Sequence, residues 1–339
     1  MIRRTRLVVT IGALIASGAA LAQTAEQVFS TKKTVNLYIG YTPGGSYDLY
    51  GRLVAQHLGR HLPGKPTVIP NNMPGAGSLT AANYVNDVAP KDGTALALVS
   101  ETAAMEQVLG NPAAKFDATK FTWIGRVASS NNIHLVWHTA KAQSVEEAKT
   151  IEMTVAGTGP ANLAEAVPRL LNAIAGTKFK IISGYQAAGP GMLAMERGEV
   201  DGTGTSWAIV KATKQEWLEK KIAKIILQDV PERSPELPDV PALPEFGQTP
   251  EDKQVLGLYA SGGAIGRAFF GPPGIPPQIA KALRDGFAAM VKDPDFLADL
   301  KKANLDVEPA TAAELQKVVE ATVKVPDSVR ARVRAIFGN

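Results

Sequence analysis

Residues 34–41 alternate, with Val35, Leu37 and Ile39 apolar at every second position, and this predicts a strand with one buried face. A Thr-Pro-Gly-Gly-Ser turn follows at 42–46. Beyond it Tyr50, Leu53, Val54, His57, Leu58 and His61 fall at i, i+3, i+4, i+7, i+8 and i+11, one continuous helical stripe, and Pro63-Gly64 ends it. Strand, glycine turn and helix form the opening unit of an α/β lobe.

The unit recurs. A short strand near 67–69 leads into a Gly/Pro loop at 71–77, a helix through 81–88, and a strand at 94–99 that ends in Ser100-Glu101-Thr102. The chain then runs extended over 122–137, and a first crossing between lobes is expected at 127–131. Ser144 and Glu147 make an S-x-x-E capping box for a short helix. A strand at 153–156 follows, and the turn after it, 157–160, reads Gly-Thr-Gly-Pro. Leu163, Val167, Leu170, Leu171 and Ile174 mark the next helix, with Gly176 as its cap and Pro168 as a kink or its true start. A strand at 179–182, a turn at 183–190 and a helix at 191–197 come next, and 224–227 reads as the return strand with the second crossing.

Residues 231–250 are proline-rich and predict a rigid surface connector, with Leu237, Val240, Leu243 and Phe246 left to pack. Ile279, Leu283, Phe287 and Val291, then 296–302, then Leu315, Val318 and Val319 behind a Thr311–Glu314 box, predict helices that fold back on the first lobe. The whole pattern is α/β. It divides into a first lobe, 23–128 with 229–339, and a second, 129–228.

The amino terminus changes the electrostatics. Arg3, Arg4 and Arg6 precede an apolar run over 7–16, and Ala20 and Ala22 make an A-x-A site, so residues 1–22 read as a cleaved signal peptide. The run falls far short of the roughly 18 residues a membrane span needs. Removing the segment leaves 317 of the 339 residues, more than one core comfortably serves, and lowers the formal charge from +4 to +1. A nearly neutral chain with interspersed charges has no basic stripe for nucleic acid or anionic lipid. An anionic ligand has to be held by local geometry. The absence of cysteine excludes disulfides, thiolate metal sites, a Cys nucleophile and a lipid-modified amino-terminal Cys.

Three Gly-rich loops, 42–46, 157–160 and 184–191, each follow a predicted strand and precede a predicted helix. There, glycines let the backbone approach a ligand while first-turn N–H groups point at it, so an anion can be bound without a cationic side chain. Any one of them is equally a tight strand-to-helix turn; three at matching places in two lobes point to a cleft. Competing chemistry is thin. Gly189-Pro190-Gly191-Met192-Leu193-Ala194 matches a dinucleotide fingerprint, but Gly189 comes seven residues past Ile182 and Asp201 only ten past Gly191. Gly204-Thr205-Ser206-Trp207-Ala208 fails G-x-S-x-G at its last position. His57 and His61 stand at i, i+4 without the Glu of H-E-x-x-H and read as boundary residues of a packed helix; His134 and His138 flank a strand. Asp48 in the first turn of its helix is explained by the helix dipole alone. No catalytic, metal or cofactor site is expected.

The stretches 41–52, 71–82, the 184–190 loop with Gly198-Glu199-Val200-Asp201, and 233–241 occur in order along essentially the whole mature chain. Together they resemble the substrate-binding receptors of tripartite tricarboxylate transporters, the Bug-type family. The resemblance implies a type II periplasmic binding-protein fold, two α/β lobes around a central cleft, and a carboxylate ligand clamped by backbone N–H groups of two turns. Carried over, these positions are Thr42, Gly44, Gly45 and Ser46 on one side and Tyr185, Ala187, Ala188 and Gly189 on the other. Asp48 matches the family's aspartate after the glycine turn, and Ser100, Glu101, Thr158, Gly159 and Thr205 align with positions that read the rest of the ligand. Tyr185-Gln186-Ala187 departs from the family's Tyr-Lys-Gly, which bears on the ligand more than on the clamp. The segment 256–267 is longer than in better known members and has no assigned role. A periplasmic, monomeric receptor for a small organic carboxylate is thus expected, partnered by integral-membrane transporter subunits and not by nucleic acid. Two other classes stay open: a ligand sensor for a two-component system, and an envelope enzyme acting on an organic acid.

Overall fold

The computed structural model describes residues 24–160 and 162–338; the expected signal peptide lies outside them. In chain order the strands are β1 (Thr34–Ile39), β2 (Thr67–Asn72), β3 (Ala95–Leu98), β4 (Thr122–Arg126), β5 (Asn132–Trp137), β6 (Met153–Gly157), β7 (Phe179–Ser183), β8 (Gly202–Ser206), β9 (Ala223–Gln228), β10 (Ala268–Gly271) and β11 (Ala310–Thr311). They form two sheets, β11-β4-β10-β3-β1-β2 and β7-β6-β8-β5-β9.

The sheets share one plan. In the first, β1 is parallel to β2 and β3, and β10 pairs antiparallel with β3 and β4. In the second, β6 is parallel to β7 and β8, and β5 pairs antiparallel with β8 and β9. β1 therefore corresponds to β6, β3 to β8, and β2 to β7. Parallel pairing needs helical crossovers, so both faces of each sheet are covered. Alternation does the sorting: Val35, Leu37 and Ile39 join Tyr50, Val54 and Leu58 of the helix Ser46–Leu58 on one face, while Tyr38 joins Leu79 and Val85 on the other. Each such buried side chain stabilises the fold by about 1.5–3 kcal/mol before entropy is counted.

Several boundaries differ from the sequence reading for local reasons. β2 runs on through Pro70 to Asn72, which an edge strand tolerates because its outer side has no ladder to lose. The next helix starts early, at Leu79, behind a left-handed Ser78. The helix Leu163–Ile174 runs straight through Pro168, capped by the Asn162 side chain on the N–H of Ala164. The helix expected at 191–197 begins at Ala188.

The larger difference concerns the crossings. β4 ends at Arg126 and β5 begins at Asn132, so the first falls at 127–131. The return does not follow β9. Residues 229–261 stay with the second sheet, where Leu243, Phe246, Val255, Leu256 and Tyr259 pack against Val167 and Leu170. The chain re-enters the first sheet through 262–267, the end of the 256–267 segment to which the sequence assigned no role. That segment is laced to the first crossing: Val127 N–H donates to Arg267 O at 3.1 Å, Arg267 N–H to Ala128 O at 2.9 Å, and Ser130 N–H to Gly263 O at 2.9 Å. At the carboxy terminus the helices Pro277–Met290 and Pro294–Lys302 pack on the first sheet, but Val329 and Val333 of the last helix, Asp327–Phe337, pack into the second-sheet core. The split expected at residue 229 follows neither segment. Their apolar faces match the helix Leu163–Ile174 rather than the first sheet.

Candidate functional site

The helices Ser46–Leu58 and Ala188–Glu196 begin at the inner ends of β1 and β7 and line one cavity between the sheets. Their N-caps, Gly45 and Ala187, make no side-chain cap hydrogen bond, so first-turn N–H groups are left to the cavity. Gly45 is extended, with φ −89°, and a Cβ there would meet nothing within 4 Å. Its bareness is a matter of space. Gly44 is different, because φ +95° is a backbone conformation that favours glycine. The helices Leu163–Ile174 and Trp207–Thr213 also aim their starts at this cavity, but Asn162 and Ser206 cap them with their own side chains.

The cavity is small, about 50 Å3, and is walled by both halves. Tyr41, Gly45, Ser46, Tyr47, Glu101 and Arg267 come from the first-sheet side; Asn132, Thr158, Asn162, Ala187, Ala188, Gly204, Thr205, Ser206 and Asp229 come from the second. β8 can run so close because Gly204 lacks a Cβ, which would sit 2.6 Å from Ala164 Cα. Among the hydrogen bonds that join the halves directly, Asn162 Nδ2 donates to Tyr41 Oη at 2.8 Å. Burial pushes the Tyr41 hydroxyl up to about 12, so it stays protonated.

Arg267 adds a group that the sequence reading did not name. The clamp reading requires no cationic side chain, yet this guanidinium stands in the wall at 2% exposure. Nη1 donates to Glu101 Oε2 at 3.0 Å and to Ser130 Oγ at 2.9 Å, Nη2 donates to Ser46 Oγ at 3.0 Å, and the Cζ lies 4.1 Å from the Tyr47 ring centroid. Glu101 also accepts from Asn132 Nδ2. Across the cavity Asp229 Oδ2 is 3.2 Å from His134 Nε2. Asp229 Oδ1, Arg267 Nε, Thr158 Oγ1 and Thr205 Oγ1 are buried and have no partner among the described residues.

Seven of the sequence-predicted positions line this cavity: Gly45, Ser46, Glu101, Thr158, Ala187, Ala188 and Thr205. The others stand around it. Gly44 N–H is occupied, donating to Asp48 Oδ2 at 3.0 Å; the same carboxylate accepts from Arg52 Nε at 2.9 Å and, through Oδ1, from Asn72 Nδ2 at 2.9 Å. Asp48 thereby braces the turn that carries Thr42 and Gly44. Burial opposes its charge, but these donors hold its carboxyl below the usual range. Ser100 Oγ pairs with Thr102 Oγ1 at 2.8 Å, behind the wall. Gly159 N–H donates to Glu165 Oε2 at 3.1 Å, and Gly159 and Tyr185 line an adjoining recess with residues 75–78. Gly189 occupies the second position of its helix, outside the lining. His57 and His61 each pair with an aspartate, Asp299 and Asp293, both at 2.7 Å.

Sequence reasoning missed Arg267, Asp229, Asn132, Asn162, Tyr41 and Tyr47. Asp229 carried a readable signal, an acid two residues past the predicted strand 224–227. Arg267 carried none, because its place depends on where the chain returns between sheets.

Comparison with known proteins agrees with this architecture. The family described as tripartite tricarboxylate transporter family receptor matches residues 51–332. A UPF0065 protein in the gbd 5′ region of Cupriavidus necator is 24% identical over 315 residues, covering 90% of this chain and 89% of its own length. The periplasmic binding protein BugD superimposes with a TM-score of 0.70 at 19% identity, covering 90% of this chain and 97% of its own. MatC from Rhodopseudomonas palustris with bound malate gives 0.68 at 19%, covering 89% and 98%. A second R. palustris protein, solved with adipate, gives 0.67 at 20%, covering 90% and 97%.

Proposed function

This chain belongs to the tripartite tricarboxylate transporter receptor family, and on that premise we propose that it is a periplasmic solute-binding receptor that captures a small organic carboxylate and delivers it to a membrane transporter. Export through the signal peptide at 1–22 places it there. The observation that carries the reading is the pair of uncapped helix N-termini at Gly45 and Ala187, on opposite walls of one cavity. First-turn N–H groups and the helix dipoles together favour a carboxylate at that spot. In this reading the N–H groups of Ser46, Tyr47 and Ala188 form the clamp, Thr42, Gly44 and Asp48 shape its first turn, and Thr158 and Thr205 meet the rest of the solute. Malate and adipate in the two similarly folded proteins are carboxylates, which supports the class.

Lobes built on the two sheets close about the hydrogen-bonded crossings at 127–131 and 262–267, and closure is what the transporter reads. The solute drives it only to the extent that it binds the closed form better. Binding without turnover is proposed. The test is thermal unfolding of the purified mature chain against a panel of carboxylates: a ligand at 100 times its Kd stabilises by about 2.7 kcal/mol. Failure of every acid in the panel to raise the unfolding temperature would overturn the receptor reading.

A further inference from the structure

The cavity has a polarity that a carboxylate clamp alone does not explain. The N–H groups of the two uncapped helices receive one negative group. Away from them the wall carries two buried carboxylates, Glu101 and Asp229, against a single guanidinium, and that guanidinium already answers Glu101 at 3.0 Å. Asp229 faces the cavity with Oδ2 on His134 and Oδ1 unpaired. A buried acceptor left unpaired costs free energy, and a second negative group brought beside it costs more. A donor brought there is the arrangement that satisfies it.

The neighbours fit the same demand. Thr205 Oγ1 and Thr158 Oγ1, also buried and unpaired in this wall, can each accept or donate. Thr205 and Asp229 stand on the two sides of β5 at the same end: Thr205 pairs with Ile133 of that strand, and Asp229 N–H donates to Asn132 O at 2.7 Å. They mark one polar corner of the cavity wall, with β5 between them.

We propose that the solute is a monocarboxylic acid with a hydrogen-bond donor at its other end, a hydroxyl, ammonium or carboxamide group, which Asp229 receives with help from Thr205. Fully ionised di- and tricarboxylates are poor fits to this corner. The inference rests on the receptor reading and names its substrate class.

Isothermal titration with acids of three to five carbons tests it. Unsubstituted monocarboxylates, the matching ω-hydroxy, ω-amino and amide acids, and the matching dicarboxylates are compared at pH 7.5. At the best-fitting length, one of the donor-bearing acids binds at least about tenfold tighter than both the unsubstituted acid and the dicarboxylate, because a site built around a buried acceptor rejects analogues that lack the donor. In Asp229→Asn that advantage disappears and the dicarboxylate gains. The wild-type series alone decides if the variant does not fold. Dicarboxylates binding tightest in the wild type, or an undiminished donor preference in Asp229→Asn, overturns the inference and leaves the receptor reading standing. No binding by any acid overturns both.

Discussion

Arg267 Nη1 lies 3.0 Å from Glu101 Oε2, with side-chain exposures of 2% and 4%. The two residues sit 166 positions apart in the chain, and their contact ties the second crossing to the loop after β3 at the wall of the cavity. A pair this deeply buried is costly to break from one side, since the remaining charge has no water to turn to. Arg267→Met and Glu101→Gln are each expected to lose about 3–5 kcal/mol in urea unfolding, and the double variant less than the sum of the two. Strictly additive losses would show that the residues do not act as a pair.

Gly45 offers a cleaner probe of the clamp. A Cβ at this extended position meets no protein atom within 4 Å, so Gly45→Val adds bulk only to the cavity. The unfolding temperature of the free protein should change little, by less than about 1 kcal/mol in stability, while carboxylate-induced stabilisation is lost. Ala188→Val on the opposite wall should behave likewise. Retained binding in both variants would remove the paired helix N-termini from the mechanism.

Asp48 makes the fold acid-sensitive in a defined direction. Burial alone would raise its pKa, but hydrogen bonds from Arg52, Asn72 and the Gly44 N–H bring it below the ordinary value. A carboxyl depressed in the folded state contributes stability that is present above its unfolded pKa near 3.9 and is lost as pH falls through the folded one. Asp48→Asn should therefore cost about 1 kcal/mol at pH 7, a figure kept low by the exposure of Arg52, and almost nothing near pH 2.5. An equal cost at both pH values would contradict the assignment.

Glu106 works the other way. It lies buried in the helix Ala103–Val108 with Asn111 Nδ2 at 2.7 Å, and burial pushes its carboxyl up to about 7 despite that bond. A carboxyl raised in the folded state binds its proton more tightly there, so its stabilising contribution is complete below about pH 4.3 and is lost as pH rises towards 7. Glu106→Gln should stabilise the protein by about 1–3 kcal/mol at pH 8 relative to the wild type, with much of the gain gone at pH 4.5. Thermal unfolding at the two pH values decides the matter, and a gain independent of pH would point to packing instead.

Reading the chain without coordinates works where the information is local. The alternation over 34–39 and the stripe through Tyr50, Val54 and Leu58 place β1, its turn and its helix, because each depends on neighbours a few residues away. The Gly-rich loops at 42–46 and 184–191 are legible for the same reason, whereas the individual residues Gly45, Ser46, Ala187 and Ala188 that line the cavity from them are implied by the family resemblance. The Pro168 helix and the early start at Ala188 show the limit of local rules, since caps and packing override propensity at element ends.

What the amino-acid order determined by itself is therefore a set of α/β units that end in bare, glycine-rich turns, together with a chain almost without net charge after the first 22 residues. What only the tertiary structure decided is which distant groups meet at those turns. The return through 262–267 rather than after β9 carries Arg267 to Glu101, and β5 running between β8 and β9 sets Thr205 and Asp229 on its two sides at the same end of the sheet. Periodicity and turn chemistry act over one or two turns of chain, whereas these meetings depend on how apolar faces hundreds of residues apart pair to exclude water, and no local pattern encodes that choice.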